Sequence, residues 1–237
     1  MRRCLVGGKL DKVSRPAPGI ARAAQQIMDL SGQRAVPVLE WDGRVIPDST
    51  AIIAALEAAH PAPALYPSDP RERERALALE EFFDEELGPH TRRLAFHTIL
   101  PDRTFAIALF TEGFGEKLRG FYDQAFPMIE QVMRTEMQID EAGVAESRRK
   151  VSAALDRIHH ERDGRDHLVG SHFSVADLSA AALLAPLIVP PEFPFSYPEP
   201  RPAGLEAMRG EFTAHPSCAW ALDVYRRHRG SSAEIGA

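Results

Sequence analysis

Lysine is scarce in this chain of 237 residues: only Lys9, Lys12, Lys117 and Lys150 occur, so nearly all of its 28 basic residues are arginine. Basic residues are also outnumbered by 34 acidic ones, giving a formal charge of -6. No basic stripe is available to follow a phosphate backbone, which removes the electrostatic support for nucleic-acid binding. Long apolar runs are missing too. The longest, residues 178–189, is too short to span a bilayer and is interrupted by Pro186. The first eight residues carry Arg2 and Arg3 but no apolar stretch of secretory length, so the expected location is the cytoplasm, with no membrane partner. Cysteine is reduced to Cys4 and Cys218, which provide neither a disulfide framework nor metal-ligand spacing, and both are expected as free thiols.

What is abundant is local punctuation. Four prolines fall between residues 60 and 70, forbidding a continuous helix or a central strand there. The chain therefore reads as a first domain over residues 1–62, a linker over 63–70 and a second domain over 71–237. In the first, residues 35–41 and 44–46 are β-prone runs joined by Asp42-Gly43, a strong hairpin signal. Asp48 or Ser49 can then cap a helix whose apolar face is Ile52, Ile53 and Leu56. Upstream, residues 19–30 have a helical pattern that ends near Gly32. The second domain reads as helix throughout. Ala76, Leu79, Phe82, Phe83 and Leu87 keep a period near 3.6 residues. So do Phe114, Leu118, Phe121, Tyr122, Ala125, Ile129 and Met133, and a further helix is marked by Val151, Leu155 and Ile158. Ser174 and Asp177 have the spacing of a capping box before an apolar run, and residues 216–229 form a last helix.

The order Ala35-Val36-Pro37-Val38-Leu39, Asp42-Gly43, then Ile46-Pro47-Asp48-Ser49, followed by Leu65-Tyr66-Pro67 and Phe173-Ser174-Val175-Ala176-Asp177, resembles the glutathione transferase superfamily over roughly residues 9 to 229. The resemblance implies a thioredoxin-like α/β domain followed by an all-α helical bundle. It implies a cis peptide bond at Pro37, which would turn the N–H and C=O of Val36 toward the cysteinyl unit of glutathione. It also implies that Asp48 and Ser49, at a helix N-terminus, take the γ-glutamyl head group: the helix dipole attracts its carboxylate and Asp48 its ammonium. The expected site is therefore Val36, Pro37, Asp48 and Ser49, with glutathione as co-substrate and no metal. A homodimer is part of the same expectation.

In that family a first strand, and at its end a Tyr, Ser or Cys that activates the thiol, come before the segment matched here. Laid out backwards, residues 19–30 correspond to the second helix, 9–14 to the second strand and 1–6 to the tail of the first helix. The thioredoxin-like domain then lacks its first strand, unless residues 3–6 substitute for it with a turn at Gly7-Gly8, and no catalytic residue is assigned. Cys4 is followed by Gly7-Gly8 rather than a helix start and reads as structural or incidental. Cys218, beside Trp220, reads as core. Glu80, Glu81, Asp84, Glu85 and Glu86 read as a solvated face or one meeting arginines such as Arg92 and Arg93. The proline-rich residues 190–202 read as a packed loop, and Phe82, Phe83 or Phe193 could line an acceptor pocket. The resemblance thus implies transfer of the glutathione thiol to a small electrophile. The alternative is a non-catalytic glutathione-binding, ligand-binding or interaction protein that keeps the fold.

Overall fold

The computed structural model describes residues 27–32, 36–112, 115–193 and 197–230. They form two compact units that divide between Leu65 and Tyr66, the second ending at His228. Cys4, the two segments read as the tail of the first helix and the second strand, most of the helix expected over 19–30, and Phe114 lie outside the described residues.

In the first unit the expected hairpin forms from β1 (Val38–Trp41) and β2 (Arg44–Pro47), paired antiparallel with Val38 opposite Pro47 and Trp41 opposite Arg44. Its turn holds Asp42 at φ 50° and Gly43 at φ 73°, the left-handed pair that a two-residue hairpin loop demands. Helix α1 (Ser49–Ala59) follows, burying Ile52, Ile53 and Leu56. Ile52 and Leu56 meet the half-buried Leu39, Trp41 and Ile46 of the hairpin. Trp41 stacks on His60 just past the end of the helix, ring centroids 5.9 Å apart. Upstream, residues 27–31 are helical and stop at Gly32, whose N–H reaches the Met28 carbonyl at φ 71°.

The second unit is all helix: α2 (Pro70–Glu86), α3 (Gly88–Ile99), α4 (Arg103–Phe110), α5 (Glu116–Glu136), α6 (Glu141–Arg162), α7 (Val175–Ile188), α8 (Ala203–Thr213) and α9 (Pro216–His228). Helix α7 is apolar nearly all round and is buried along most of its length among α2, α3, α8 and α9, as a central helix must be. Around it the apolar faces of α2 and α6 close the core through Leu79, Phe83, Leu155 and Ile158. Aspartates start several of these helices. Asp69 accepts from the N–H groups of Arg71 and Glu72, Asp102 from Phe105, and Asp140 from Gly143.

One expectation needs correction. The acidic run on α2 is not fully solvated: Glu80 is buried, and Glu86 pairs with Lys150 of α6. Arg93 is engaged elsewhere, donating to the carbonyls of Met137 and Gly143 and to the Ser147 hydroxyl, and so tying the start of α6 to α3. On α5 the apolar arc is only half covered. Tyr122 and Phe126 are buried, whereas Phe121 is 51% exposed.

Candidate functional site

The hairpin register creates the site. Because Val38 pairs with Pro47, residues 36–37 and 48–49 leave the ribbon side by side at its open end. The Val36–Pro37 peptide bond is cis, and Val36 is 68% exposed, directly before the strand. Four residues far apart in sequence terms are thus brought together by two short strands.

Asp48 does more here than end a strand. Its Oδ1 accepts from the N–H of Thr50 at 2.9 Å and of Ala51 at 3.2 Å, making it the N-cap of α1. This narrows the expected supply of donors for a ligand carboxylate. Two of the N–H groups in the first turn are held by Asp48, and no described residue takes the N–H or hydroxyl of Ser49. The backbone of Asp48 sits at φ 76°, ψ 138°, a region that is almost exclusively glycine's. The other aspartate caps of this chain supply the comparison. Asp69, Asp102 and Asp140 cap their helices at φ -69°, -95° and -124°. Capping by aspartate therefore does not require a positive φ, and the strained backbone at Asp48 needs another reason.

The opposite end of α1 is tied down as well. Glu57, on α1, accepts from the Leu65 N–H at 2.9 Å, tying the start of the linker back to the helix.

Other residues singled out in the sequence are structural. Asp177 is fully buried: its Oδ1 accepts from the Leu168 N–H at 2.8 Å, and its Oδ2 from both the N–H and the hydroxyl of Ser174 at 2.9 Å. The expected cap is present, and it also anchors the loop before it. Cys218 is fully buried, and burial pushes its thiol up to about 11, which leaves no thiolate at neutral pH. Phe83 belongs to the core, Phe82 lies under the Arg157 guanidinium at 4.5 Å, and Phe193 meets Tyr225 edge to face. Among the described residues no group of three or more His, Cys, Asp or Glu side chains is placed to hold a metal ion, and no helix is long and apolar enough to cross a membrane.

Comparison with known proteins decides the family. Residues 10–64 match the family described as Glutathione S-transferase, N-terminal domain, and residues 116–203 match Glutathione S-transferase, C-terminal domain. The chain belongs to the glutathione transferase superfamily. Its two-part architecture, a small thioredoxin-like domain and an all-α domain, is that superfamily's fold. Among solved structures it is similar to the beta-etherase LigF from Sphingobium sp. strain SYK-6, with 22% identity, a TM-score of 0.54, and 86% of this chain and 84% of that one covered. It is also similar to FzlA from C. crescentus (20%, TM-score 0.47, 86% and 77% covered). A third is a theta class glutathione S-transferase from Xanthomonas axonopodis pv. citri with glutathione bound (19%, TM-score 0.46, 88% and 78% covered). No curated protein matches the chain.

The fold alone does not fix chemistry in a superfamily, so function rests on the site. In the sequence, Val36, Pro37, Asp48 and Ser49 are singled out by the resemblance to the family. It misses the conformation of Asp48, since an aspartate before a helix carries no mark that distinguishes φ 76° from the ordinary cap.

Proposed function

We propose that this protein binds glutathione at Val36, Pro37, Asp48 and Ser49 and transfers its thiol to a small electrophile, working in the cytoplasm as a homodimer. The observation that carries the reading is the glycine-like backbone of Asp48 beside the cis Val36–Pro37 bond. Strain of about 1–3 kcal/mol persists at a non-glycine residue only where something other than folding benefits, and functional sites are where it collects. The chemistry fits a γ-glutamyl head group. Its carboxylate would meet the N–H and hydroxyl of Ser49 at the positive end of α1. Its ammonium would meet the carboxylate of Asp48, and the backbone of Val36 would pair with the cysteinyl unit as an added strand. A tripeptide fixed at both points presents its thiol in one place. As thiolate it attacks the electrophilic carbon, the new C–S bond forms as the leaving group departs with its electron pair, and the thiol proton passes to solvent.

Calorimetric titration of glutathione tests the site. Asp48→Gly relieves the backbone and costs only a few tenths of a kcal/mol in capping, so the first unit should gain roughly 1 kcal/mol of stability while glutathione binds at least about tenfold more weakly. Ser49→Ala, which keeps the N–H, should weaken binding by less, about 1 kcal/mol. Folded wild-type protein that ignores glutathione, or binding indifferent to Asp48, would overturn the reading. Conjugation of glutathione to an aryl halide then separates the two functions: turnover supports transfer, and binding without turnover leaves a glutathione-binding protein.

A further inference from the structure

The chain has no asparagine, so the backbone steps that rearrange most readily are missing and aspartyl-glycine steps take their place. Two occur, Asp42-Gly43 and Asp163-Gly164. Both have left-handed backbones, with φ 50° and 73° in the first and 46° and 76° in the second. Their surroundings differ. Asp163 ends α6, where its N–H reaches the His159 carbonyl at 3.2 Å, and Arg165 just beyond is bound to Arg162 by its backbone N–H at 2.8 Å and by reciprocal side-chain contacts at 3.0 Å. Asp42 and Gly43 are both exposed, no described residue takes the Asp42 carboxylate, and a Cβ added at Gly43 would meet nothing within 4 Å. The strands they join have four residues each, and a hairpin of that size opens at small cost.

We propose that Asp42 is a site of spontaneous isoaspartate formation, and that this change dismantles the hairpin. In an opened turn the Gly43 nitrogen attacks Cγ of the Asp42 carboxyl group in its protonated form. A C–N bond forms, the carboxyl hydroxyl leaves with the amide proton as water, and a cyclic imide results. Glycine, having no Cβ, leaves that nitrogen unhindered. Water then adds at the main-chain carbonyl of Asp42, the bond from that carbon to the Gly43 nitrogen breaks as the nitrogen takes up the proton, and the chain now runs through the side chain. The water lost is regained, so no co-reactant is needed and the mass is unchanged. The backbone, however, is longer by one carbon, and the register of a hairpin is set by the length and type of its turn. Here the turn places Trp41 opposite Arg44 and Leu39 opposite Ile46, the pairing that sets Leu39, Trp41 and Ile46 against Ile52 and Leu56. With the added carbon that closing pair is lost, and residues 36–37 and 48–49 no longer leave the ribbon side by side. Loss of glutathione from the site rests on the function proposed above; the modification and the opening of the hairpin do not.

Peptide mapping of the full chain, held for weeks at neutral pH and physiological temperature, tests the site with a protease that cleaves before aspartate but not before isoaspartate. Isoaspartate at residue 42 should accumulate roughly tenfold faster than at residue 163, because the hairpin opens locally more often than the tied end of α6. No isoaspartate at residue 42, or as much at residue 163, overturns the site. Asp42→Asn keeps the turn and reaches the same imide by losing ammonia, so it supplies the isoaspartyl chain in quantity. In a Trp220→Phe background, the Trp41 emission of this variant should move to longer wavelength as it ages, and glutathione binding should be lost from the isoaspartyl fraction. Emission that stays in place while isoaspartate accumulates overturns the effect on the hairpin. Fresh wild-type chain that ignores glutathione counts against the proposed function alone, since peptide mapping and Trp41 still decide the modification and its effect.

Discussion

The described residues of the first unit include a two-stranded hairpin and the helix α1, with Ile52 and Leu56 set against side chains that are only half buried. The second has fully buried side chains drawn from helix after helix, Leu79, Phe83, Leu94, Leu155, Ile158 and Leu178 among them. The candidate glutathione site lies wholly on the first unit, built from a loop, a hairpin end and a helix start. The difference teaches where each kind of tolerance lies. A dense core punishes lost volume, whereas a short hairpin is marginal alone and its geometry is decided by a few backbone positions. On the proposed reading, stability and recognition are separated along the chain, and each unit carries one of the molecule's two tryptophans, Trp41 and Trp220, as its reporter.

The largest expected effect probes that separation. Phe83→Ala should cost about 3–5 kcal/mol, read by Trp220 in a Trp41→Phe background, because a fully buried ring leaves a cavity that rigid helices cannot close. Leu56→Ala, also fully buried, should cost nearer 2 kcal/mol and be read by Trp41 in a Trp220→Phe background, since the half-buried hairpin can settle onto the smaller side chain. Denaturant titrations of both check the contrast. If either substitution moves both tryptophan transitions equally, the units do not unfold separately and the comparison fails.

A polar counterpart lies at Asp177. Asp177→Asn keeps the shape but turns an amide NH2 toward buried donors, leaving the Leu168 or Ser174 N–H unsatisfied, at a cost of about 1–3 kcal/mol. Trp220 reads this directly, because its indole N–H donates to the Asp166 carbonyl at 2.8 Å in the same loop. Glutathione affinity should be unchanged. Normal unfolding with lost affinity would move Asp177 from fold to site.

Much of this was legible in the residues. Asp42-Gly43 announces the hairpin because only that turn chemistry suits its positive φ angles, and Ser174 with Asp177 announces a helix start because both ends of the cap are side chains. Other features are set by what lies opposite in space, which one chain's spacing does not encode. The periodicity of α5 shows an apolar arc, and nothing in it tells that Tyr122 is covered and Phe121 is bare. The acidic run on α2 looks solvated, yet Glu80 is buried and Glu86 finds Lys150 from a helix 64 residues on. The sequence offers Asp48 or Ser49 as the cap of the first-domain helix, and the structure selects Asp48. The caps at Asp69, Asp102 and Asp140 carry a signal, an aspartate just before a helical run, that periodicity alone does not register.

The smallest expected effect concerns pH and belongs to the second unit. His90 lies between α2, α3 and α6, with Nδ1 3.0 Å from the Ser147 hydroxyl and 3.3 Å from an Arg93 nitrogen. Burial first, then the charges of Arg93 and Lys150, hold it below the ordinary imidazole value of 6.5, and Glu86 and Glu146 only partly oppose them. His97 and His228 are lowered in the same sense, again chiefly by burial. A histidine depressed in the fold binds fewer protons folded than unfolded, so the stability it contributes is complete above 6.5 and is lost as pH falls through that value. Carboxylates such as Glu206, lowered from 4.5 in spite of its own burial by Arg209 and Arg201, hold their contribution until more acid conditions. Asp177 works in the opposite sense, since burial raises it. The midpoint of the Trp220 transition should therefore decline between pH 6.5 and 4.5. His90→Gln, which keeps a hydrogen-bonding group but cannot titrate, should decline less steeply over the same interval, and the difference between the two curves isolates this one imidazole from Asp177 and from the other histidines. Parallel curves would mean that His90 accepts its proton as readily folded as unfolded, and that the contacts of Ser147 and Arg93 do not set its charge.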